Sequence, residues 1–371
     1  MSSSFPPFDR SRLHFRPLAE RKSKSRIDEI AVDPDGEAPD PGSAAGMVEQ
    51  VARRILGARK RGAPVVLCHG AHLVRNGLSP LVIRLIKEGW ITHVATNGAG
   101  SIHDWEYAFL GRSTEDVREN VAAGEFGIWE ETGSYLSLAL HVGAVDGLGY
   151  GASVGRMVSA EAITIPTAEE LRERIAMALR GAVPSDVAGA AFDLMGALEV
   201  RSWPPGKLLI PHPWKTKSLQ AACYSLNVPF TVHPGIGYDI VYSHPLFRGG
   251  AVGRSAMTDF LTFAASIERL EGGVYLSVGS SVMSPMIFEK SLSMARNVLR
   301  QKRRKLVDFD IVVCDLMAAT WDWSRGEPPP TNPAYYVRFC KSFSRMGGRF
   351  LYVGMDNRVF LQNIYARLRR T

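Results

Sequence analysis

The sequence lacks the features that mark a membrane-spanning or secreted protein. Its 371 residues contain no run of about 18 uncharged apolar residues. The N-terminus is rich in Ser, Pro and Arg and has no hydrophobic segment of the kind found in secretory signals. We therefore expect neither a membrane span nor a signal peptide, and we expect a cytoplasmic protein.

Cysteine is also scarce. The four cysteines, Cys68, Cys223, Cys314 and Cys340, lie far apart and form no C-x-x-C pair. This spacing disfavours both a structural zinc site and a disulfide framework. We expect the four side chains to be reduced, buried small residues.

Acidic residues are outnumbered, but the excess of positive charge is local. The net charge is +7 and the pI is near 9.3, and the basic residues concentrate in two segments, 9–26 and 296–310. The second segment follows an amphipathic helix, where cations complement the helix dipole, and no RNA-binding aromatic motif accompanies it. Nucleic acid is therefore not an expected partner.

The remaining composition is that of a globular protein, with 46% hydrophobic and 22% charged residues. Residues 1–45 are polar and aperiodic, which predicts an N-terminal arm and linker. From residue 46 to residue 371, helical and strand patterns alternate. Strands are predicted at 64–70, 92–98, 228–232, 272–281, 309–316 and 349–354.

Uninterrupted Val, Ile and Leu strands that alternate with helices predict a parallel sheet covered on both faces. The expected fold is α/β, a single doubly wound sheet of Rossmann-like type with helices on both faces. Ligands of such folds bind beyond the carboxyl ends of the strands. Glycine or histidine marks several of these ends, at His69-Gly70, Asn97-Gly98-Ala99-Gly100, Gly235-Ile236-Gly237 and Gly279-Ser280.

The turn Gly98-Ala99-Gly100 offers backbone that can approach a phosphate closely, followed by a helix N-terminus. As a dinucleotide fingerprint it is incomplete, because His103 stands where the third glycine belongs and the turn does not open the first βαβ unit. Nucleotide binding and a plain tight turn both remain open at this point. The stretch "GLGYGASVG" at 147–155 is interpreted as a flexible surface loop.

Two further groups of residues carry candidate chemistry. His69, His72, His103 and Asp104 follow predicted strand ends and suggest a metal-dependent hydrolase as one alternative, although no H-E-x-x-H pattern is present. Lys341 ends the aromatic and apolar stretch "NPAYYVRFCK". A buried ammonium there would have a depressed pKa, as Schiff-base chemistry requires, whereas a lysine at a helix end commonly extends its ammonium to solvent.

Several of these segments resemble the deoxyhypusine synthase family, which includes homospermidine synthases. The resemblance covers the order and spacing of short motifs over roughly residues 60–370. "CHGAHLVRNG" and "ATNGAGSIHDWEYAFLG" are similar to the family's nucleotide-contacting segments, and "PAYYVRFCK" has the family's spacing from a proline to the catalytic lysine. "NVPFTVHPGIGYDIVYSHP", "YLSVGSSVMSPMIFEKSL" and "FLYVGMDNRVF" resemble three further family segments.

The resemblance implies NAD as cofactor and a homotetramer as assembly. It assigns catalytic roles to Lys341, as covalent carrier, and to Asp239, as the acid that holds an amine. The cofactor-binding positions that it implies are Gly70, Ala71, Asn97, Gly98, Ala99, Gly100, Asp104, Gly279, Ser280, Met355 and Asp356. The substrate-binding positions are Glu289, Tyr335 and Phe339, and no metal is expected.

The chain also departs from the family pattern. Pro285 replaces the family's substrate-contacting His, and Glu289, Tyr335 and Phe339 stand where the family has Asn, an acidic residue and Trp. The second aspartate of the Asp-Gly-Asp stretch is missing near Pro234. These departures indicate a divergent member.

The resulting expectation is an NAD-dependent aminobutyl transferase that acts on spermidine or a related amine through a lysine imine. Its acceptor would be a small amine or a protein lysine, and no membrane partner is expected. The alternative from another class is a non-catalytic NAD-binding sensor or scaffold of the same fold.

Overall fold

The computed structural model describes residues 5–317 and 321–370 of the chain. The ten strands are β1 (Ser25–Arg26), β2 (Val65–His69), β3 (His93–Asn97), β4 (Arg112–Ser113), β5 (Ala162–Ile165), β6 (Gly206–Leu209), β7 (Phe230–His233), β8 (Val274–Val278), β9 (Asp310–Asp315) and β10 (Arg349–Gly354). The first α-helices are α1 (Ile27–Ile30), α2 (Ala45–Lys60), α3 (Ala71–Arg75), α4 (Ser79–Lys87), α5 (Gly98–Leu110), α6 (Val117–Ala123), α7 (Glu130–Val145) and α8 (Tyr150–Ala160). They are followed by α9 (Ala168–Leu179), α10 (Ser185–Val200), α11 (Leu219–Ser225), α12 (Gly249–Glu268), α13 (Met283–Gln301), α14 (Arg338–Ser344) and α15 (Asn357–Leu368).

Six strands form one parallel sheet in the order β10-β9-β8-β2-β3-β7. Numbered by their appearance in the chain, these strands follow the order 3-2-1-4-5-6 from β7 to β10. This is the order of the Rossmann fold, in which the direction of winding reverses once, here between β2 and β8. The predicted α/β class and doubly wound sheet are confirmed, and each predicted strand corresponds to one strand of this sheet.

Both faces of the sheet are covered because successive strand residues point to opposite sides. Val65 and Leu67 of β2 join a core formed mainly with α2, α4, α5, α7, α8, α11 and α15. Val66 and Cys68 join a second core with α12, α13 and α14. The apolar side chains of α4 are buried along its length, as is usual for a helix packed on a sheet.

The crossover from β3 to β7 is long and contains α5 to α11 and a separate two-stranded pair, β5 with β6. A capping box formed by Thr167 and Glu170 stands at the start of α9. The predicted loop at 147–155 is wrong, since α8 begins at Tyr150. Its glycines serve close packing, because a Cβ atom on Gly149 would overlap the carboxylate of Asp259 and one on Gly151 would overlap the carbonyl oxygen of Phe230.

Asp259, on α12, stabilises this arrangement. Its carboxylate accepts hydrogen bonds from the backbone N–H of Gly151 at 2.9 Å and of Val232 at 2.7 Å. The bond to Val232 occupies part of the outer edge of β7, which would otherwise expose unpaired backbone groups. Burial raises the pKa of Asp259 to about 7, with the backbone N–H groups of Val232, Gly151 and Tyr150 opposing that effect.

The N-terminal segment packs on the sheet domain. Leu18 and Ile27 are fully buried, and β1 pairs with β4 in antiparallel orientation. The division into an arm of residues 1–45 and a domain of residues 46–371 stays a prediction.

The four cysteines are buried and none forms a disulfide, as expected. No helix in the described ranges is long and apolar enough to cross a membrane.

Candidate functional site

The carboxyl ends of the six parallel strands meet at one edge of the sheet, as predicted. His69 ends β2, Asn97 ends β3 and His233 ends β7 on one side of the reversal. Val278, Asp315 and Gly354 end β8, β9 and β10 on the other side. The predicted cofactor residues therefore all lie near this edge except Asp104, but they are distributed along the whole width of the sheet.

At the reversal, the ends of β2 and β8 are in close contact. The backbone N–H of Gly70 donates to the carbonyl of Val278 at 3.1 Å, and a Cβ atom on Gly70 would overlap the carbonyl oxygen of Gly279. His69 beside them is fully buried, and its Nε2 has no hydrogen-bond partner among the described residues. Burial lowers the pKa of His69 to about 4, against a hydrogen bond with the Gly70 carbonyl, so the ring is neutral at pH 7.

The segment from β8 into α13 leaves polar and apolar groups uncovered at the same edge. The backbone N–H groups of Ser281, Val282 and Met283 have no acceptor within the described ranges, whereas that of Ser284 donates to Ser280 Oγ. Large apolar side chains are exposed around them: Val282, Met286, Leu316 and Met317. Exposed apolar side chains grouped around unpaired N–H groups are typical of a binding surface.

The start of α5 is occupied by a carboxylate of the chain itself. Asn97 caps the helix by accepting from the N–H of Gly100 at 2.9 Å. Asp239 contacts Gly98 so closely that a Cβ atom there would overlap the carboxylate, and it accepts from the N–H of Gly235 at 3.0 Å. The turn expected to approach a phosphate is thus filled by an internal anion, which would repel a phosphate at that position.

Asp239 is nine-tenths buried and has no ion-pair partner among the described residues. Burial raises its pKa to about 6, although hydrogen bonds from the backbone of Gly235 and Ala99 act in the opposite direction. The hydroxyls of Tyr150 and Tyr242 are also buried without a hydrogen-bond partner in the described part of the chain. Asp239 raises the pKa of both tyrosines, although burial is the larger cause.

A cavity of about 240 Å³ opens beside this carboxylate, between α3, α5 and the segments around residues 115 and 239. Its ionisable wall residues are Arg21, Arg75, His103, Glu106, Glu115 and Asp239, and its apolar ones include Ala99, Ile102, Val117, Phe126 and Ile240. Arg75, on α3, forms no hydrogen bond or ion pair with any described residue. The cavity therefore presents one guanidinium without a partner beside largely apolar walls.

Arg21 and Glu106 form a buried ion pair in the same wall. Nη1 of Arg21 donates to Oε1 of Glu106 at 2.6 Å and Nη2 donates to Oε2 at 2.9 Å. Ser113 Oγ donates to Glu106 at 2.5 Å and lies 2.8 Å from Nδ1 of His103. Burial disfavours the Glu106 carboxylate, but Arg21 and His103 outweigh it and hold the pKa of Glu106 well below its usual range.

Asp104 does not face the edge of the sheet. Its carboxylate accepts from Ser218 Oγ at 2.6 Å and from the backbone N–H of Leu219 at 2.8 Å and of Gln220 at 3.1 Å. These bonds satisfy the first N–H groups of α11. Asp104 therefore has a structural contact here, whereas the family resemblance implied that it binds the cofactor.

Lys341 is not brought to the turn at residues 97–104. It lies on α14, which packs against α13 and β10, and β10 is four strand positions from β3. At the usual strand spacing this separation is roughly 19 Å. Its Nζ lies 2.9 Å from Glu327 and 3.3 Å from the centroid of the Tyr335 ring.

The pKa of Lys341 is raised, and not depressed as a buried ammonium without partners would require. Burial disfavours the ammonium, but hydrogen bonding to Tyr335 and Glu327 outweighs that effect and raises the pKa of Lys341. An ammonium held in this way is a weak nucleophile at neutral pH.

The predicted substrate residues do not converge either. Phe339 is buried in the second core, Tyr335 lies against Lys341, and Glu289 is exposed on α13 beside Lys290. Met355 and Asp356 follow β10 at the far side of the sheet, where Asp356 caps α15. The roles of the predicted site residues stay predictions.

The metal alternative finds no site in the described residues. No group of three or more His, Cys, Asp or Glu side chains in the ranges 5–317 and 321–370 is arranged to hold an ion. His69 is buried at the reversal, His103 is bonded to Ser113, and Asp104 is bonded to α11.

The sequence interpretation missed four charged residues of the cavity wall: Arg21, Arg75, Glu106 and Glu115. Arg21 lies in a segment that reads as a polar arm, and its partner is 85 residues away. Glu106 is the single charged residue within the otherwise aromatic and apolar stretch "WEYAFL", and this was the available signal for it.

No family model matches the chain, and no curated protein sequence matches it significantly. Similar solved structures include a conserved LOR/SDH-type protein from Methanococcus maripaludis S2, with 11% identity and a TM-score of 0.43 over 91% of this chain and 74% of that one. ArgZ, an arginine dihydrolase from the ornithine-ammonia cycle in cyanobacteria, has 14% identity and a TM-score of 0.44 over 88% of this chain. AgrE, in a ternary complex with ornithine and NAD+, has 15% identity and a TM-score of 0.43 over 90% of this chain.

The chain spans 32% of the ArgZ chain and 34% of the AgrE chain. Structural similarity at these identities and TM-scores does not show that this chain has the activities of those proteins. The resemblance to the deoxyhypusine synthase family is wrong, because no family model matches and the similar structures are of other kinds.

Proposed function

We propose that this chain is an enzyme that binds a nicotinamide dinucleotide across the carboxyl edge of its central sheet. The observation that carries the proposal is the strand order, in which winding reverses between β2 and β8. In open α/β sheets the crevice outside such a reversal is where dinucleotides bind.

The residues at the reversal fit such a ligand. The N–H groups of Ser281, Val282 and Met283 are donors for phosphate oxygens at the start of a 19-residue helix. Val282, Met286 and Leu316 offer apolar surface that a flat heterocyclic ring would cover. The buried Nε2 of His69, which has no partner among the described residues, adds a polar group at the same place.

The start of α13 is favoured over two other helix starts as the phosphate site. The turn after β2 has only one glycine, Gly70, and leads into the five-residue α3. The start of α5 is filled by Asp239, whose charge would oppose a phosphate. The usual glycine fingerprint is thus replaced, in this proposal, by the backbone of residues 281–283.

When bound, the nicotinamide ring accepts or donates a hydride, and the chain must then hold or release a proton. His103 is the candidate for that task, because its ring lines the cavity and is oriented through Ser113 by the ionised Glu106. Arg21 keeps Glu106 ionised, and the ionised Glu106 in turn orients Ser113 and His103.

The test is a fluorescence titration of the full-length protein with NADH. Ser281→Glu introduces a negative charge beside the proposed phosphate position, and we expect it to weaken binding about tenfold or more. Ser293→Glu is the matched control, since Ser293 is also exposed and lies on the same helix, ten residues from its start. We expect its affinity to stay within about twofold of the parent protein.

A glutamate at a helix N-terminus favours the helix, so lost binding by Ser281→Glu would not reflect unfolding. Absence of NADH binding by the parent protein would overturn the proposal. Equal affinity of the Ser281→Glu and Ser293→Glu variants would overturn the placement of the phosphates.

A further inference from the structure

The cavity beside α5 contains two charges of opposite sign that have no partner among the described residues. The guanidinium of Arg75 lines it from α3, and the carboxylate of Asp239 lines it from the segment after β7. Within residues 5–317 and 321–370, the hydrogen bonds to this carboxylate come from backbone N–H groups alone. A charge that is removed from water in this way gains most from a ligand group of opposite charge.

Three other charged wall residues, Arg21, Glu106 and Glu115, already have partners within the chain. Arg21 and Glu106 neutralise each other through two hydrogen bonds. Glu115 accepts from Asn120 Nδ2, from the N–H of Gly127 and from Trp129 Nε1. Among the carboxylates and guanidinium groups of the wall, Arg75 and Asp239 are therefore the two that lack a side-chain partner in the described part of the chain.

The cavity also limits the size and character of its ligand. Its volume of about 240 Å³ is below the range of drug-sized ligands and suits a small metabolite. Ile102, Phe126 and Ile240 supply apolar wall between the charged groups. A short aliphatic chain would cover that wall.

We propose that this cavity binds a small zwitterionic molecule, with its carboxylate on Arg75, its ammonium on Asp239 and an aliphatic segment against the apolar wall. The guanidinium suits a carboxylate because its planar N–H groups match two carboxylate oxygens. That this molecule is the substrate rests on the proposed function. Its binding to the cavity does not, and the affinity is measured without a dinucleotide.

The probes are ω-amino acids from 3-aminopropanoate to 6-aminohexanoate, titrated into the full-length protein by calorimetry. The chain length that binds best reports the separation of the two charges. Hexanoate and hexylamine each lack one charge of 6-aminohexanoate, and we expect the matching ω-amino acid to bind at least tenfold more tightly than its singly charged analogues. Binding of hexanoate as tight as that of every ω-amino acid would overturn the role of Asp239.

Variants assign the two contacts. Arg75→Met should weaken the best probe at least tenfold, and Asp239→Asn should do the same while leaving the affinity for the amine-free analogue within about twofold. Ala99→Leu fills the cavity and should abolish probe binding. Ala152→Leu, the same change at a partly buried alanine in the first turn of α8, lines a different cavity and should leave probe binding unchanged.

The outcomes separate the two proposals. Probe binding without NADH binding supports the zwitterion site and overturns the dinucleotide. NADH binding without probe binding overturns the zwitterion site alone. If Ala99→Leu weakens NADH as strongly as Ser281→Glu does, the cavity holds part of the dinucleotide instead of a second ligand, and the inference is wrong.

Discussion

Arg21 and Glu106 form a two-point ion pair in which both side chains are only 1% exposed. The pair fastens the N-terminal segment to α5, and it lies in the wall of the cavity beside the carboxyl edge of the sheet. Thr132 Oγ1 and Ser113 Oγ complete the coordination of the carboxylate, so Glu106 has four donors.

Removal of Arg21 should therefore be costly. Arg21→Ala leaves an ionised carboxylate buried without its cation, and we expect the free energy of unfolding to fall by about 3–5 kcal/mol in denaturant titrations. Arg53→Ala removes a pair with Glu49 whose members are 70% and 47% exposed, and should change stability by no more than about 0.5 kcal/mol. A loss below about 1 kcal/mol for Arg21→Ala would contradict the structural role of the pair.

Contact between the ends of β2 and β8 predicts the response to alanine at Gly70. The added Cβ would overlap the carbonyl oxygen of Gly279, so Gly70→Ala should lower the free energy of unfolding by about 2 kcal/mol or more. Gly253 in α12 has open space around it, and Gly253→Ala should raise stability by about 0.5–1 kcal/mol because alanine favours the helix. Equal effects of the two substitutions, compared by thermal unfolding, would show that the strand ends do not meet as described.

Asp259 predicts a specific dependence of stability on pH. Its pKa is raised from 3.8 to about 7 in the folded protein, so folding binds a proton that the unfolded chain has lost. The stabilisation is complete below about pH 4 and is lost as pH rises through 7. We therefore compare the free energies of unfolding of Asp259→Asn and the parent protein. The difference between them at pH 4 is an offset independent of pH, and between pH 4 and pH 8 it should shift by about 2–4 kcal/mol in favour of Asp259→Asn.

Denaturant titrations at several pH values check this difference. Because only the difference between the two proteins is used, other carboxyl groups cancel. A difference that stays constant from pH 4 to pH 8 would mean that Asp259 titrates normally.

Lys341 should be less reactive than an ordinary lysine. Glu327 and Tyr335 stabilise its ammonium, so acetylation at pH 8, followed by mass spectrometry, should be slower at Lys341 than at Lys290. Glu327→Gln lowers the Lys341 pKa and should increase acetylation at that site about two- to fivefold. Glu289→Gln, the corresponding change beside the exposed Lys290, should alter the rate at Lys290 by less than about 1.5-fold. Faster acetylation of Lys341 than of Lys290 in the parent protein would restore it as a nucleophile.

The six strands of the sheet could be predicted because each is a run of Val, Ile and Leu between helical patterns. The helix α8 could not, since its glycines at 149, 151 and 155 resemble a loop, and their purpose becomes visible only with Asp259, Phe230 and Gln220 packed against them. Local periodicity carries no information about partners that lie 65 to 110 residues away along the chain.

The candidate site was predicted only as far as the topology determines it. The carboxyl edge and its glycine turns follow from parallel strands, so Gly70, Gly98 and Gly279 were placed at the correct edge. The position of Asp239 at the start of α5 depends on how the segment after β7 folds back, and spacing along the chain does not encode that contact. The spacing along the chain did not indicate how far Lys341 lies from the turn at residues 97–104, because α14 packs against β10 and strand order places β10 four positions from β3.

We expect a dinucleotide to bind at the point where the strand order of the sheet reverses, between β2 and β8. Hydrogen–deuterium exchange of the full-length protein with and without NAD+ tests it most directly, because the N–H groups of residues 281–283 have no acceptor in the described chain and should exchange rapidly until phosphates cover them. We expect protection by NAD+ in peptides that cover residues 279–286 and 69–76, and none in α9 or α10. Protection confined to other segments, with unchanged exchange at 279–286, would contradict it.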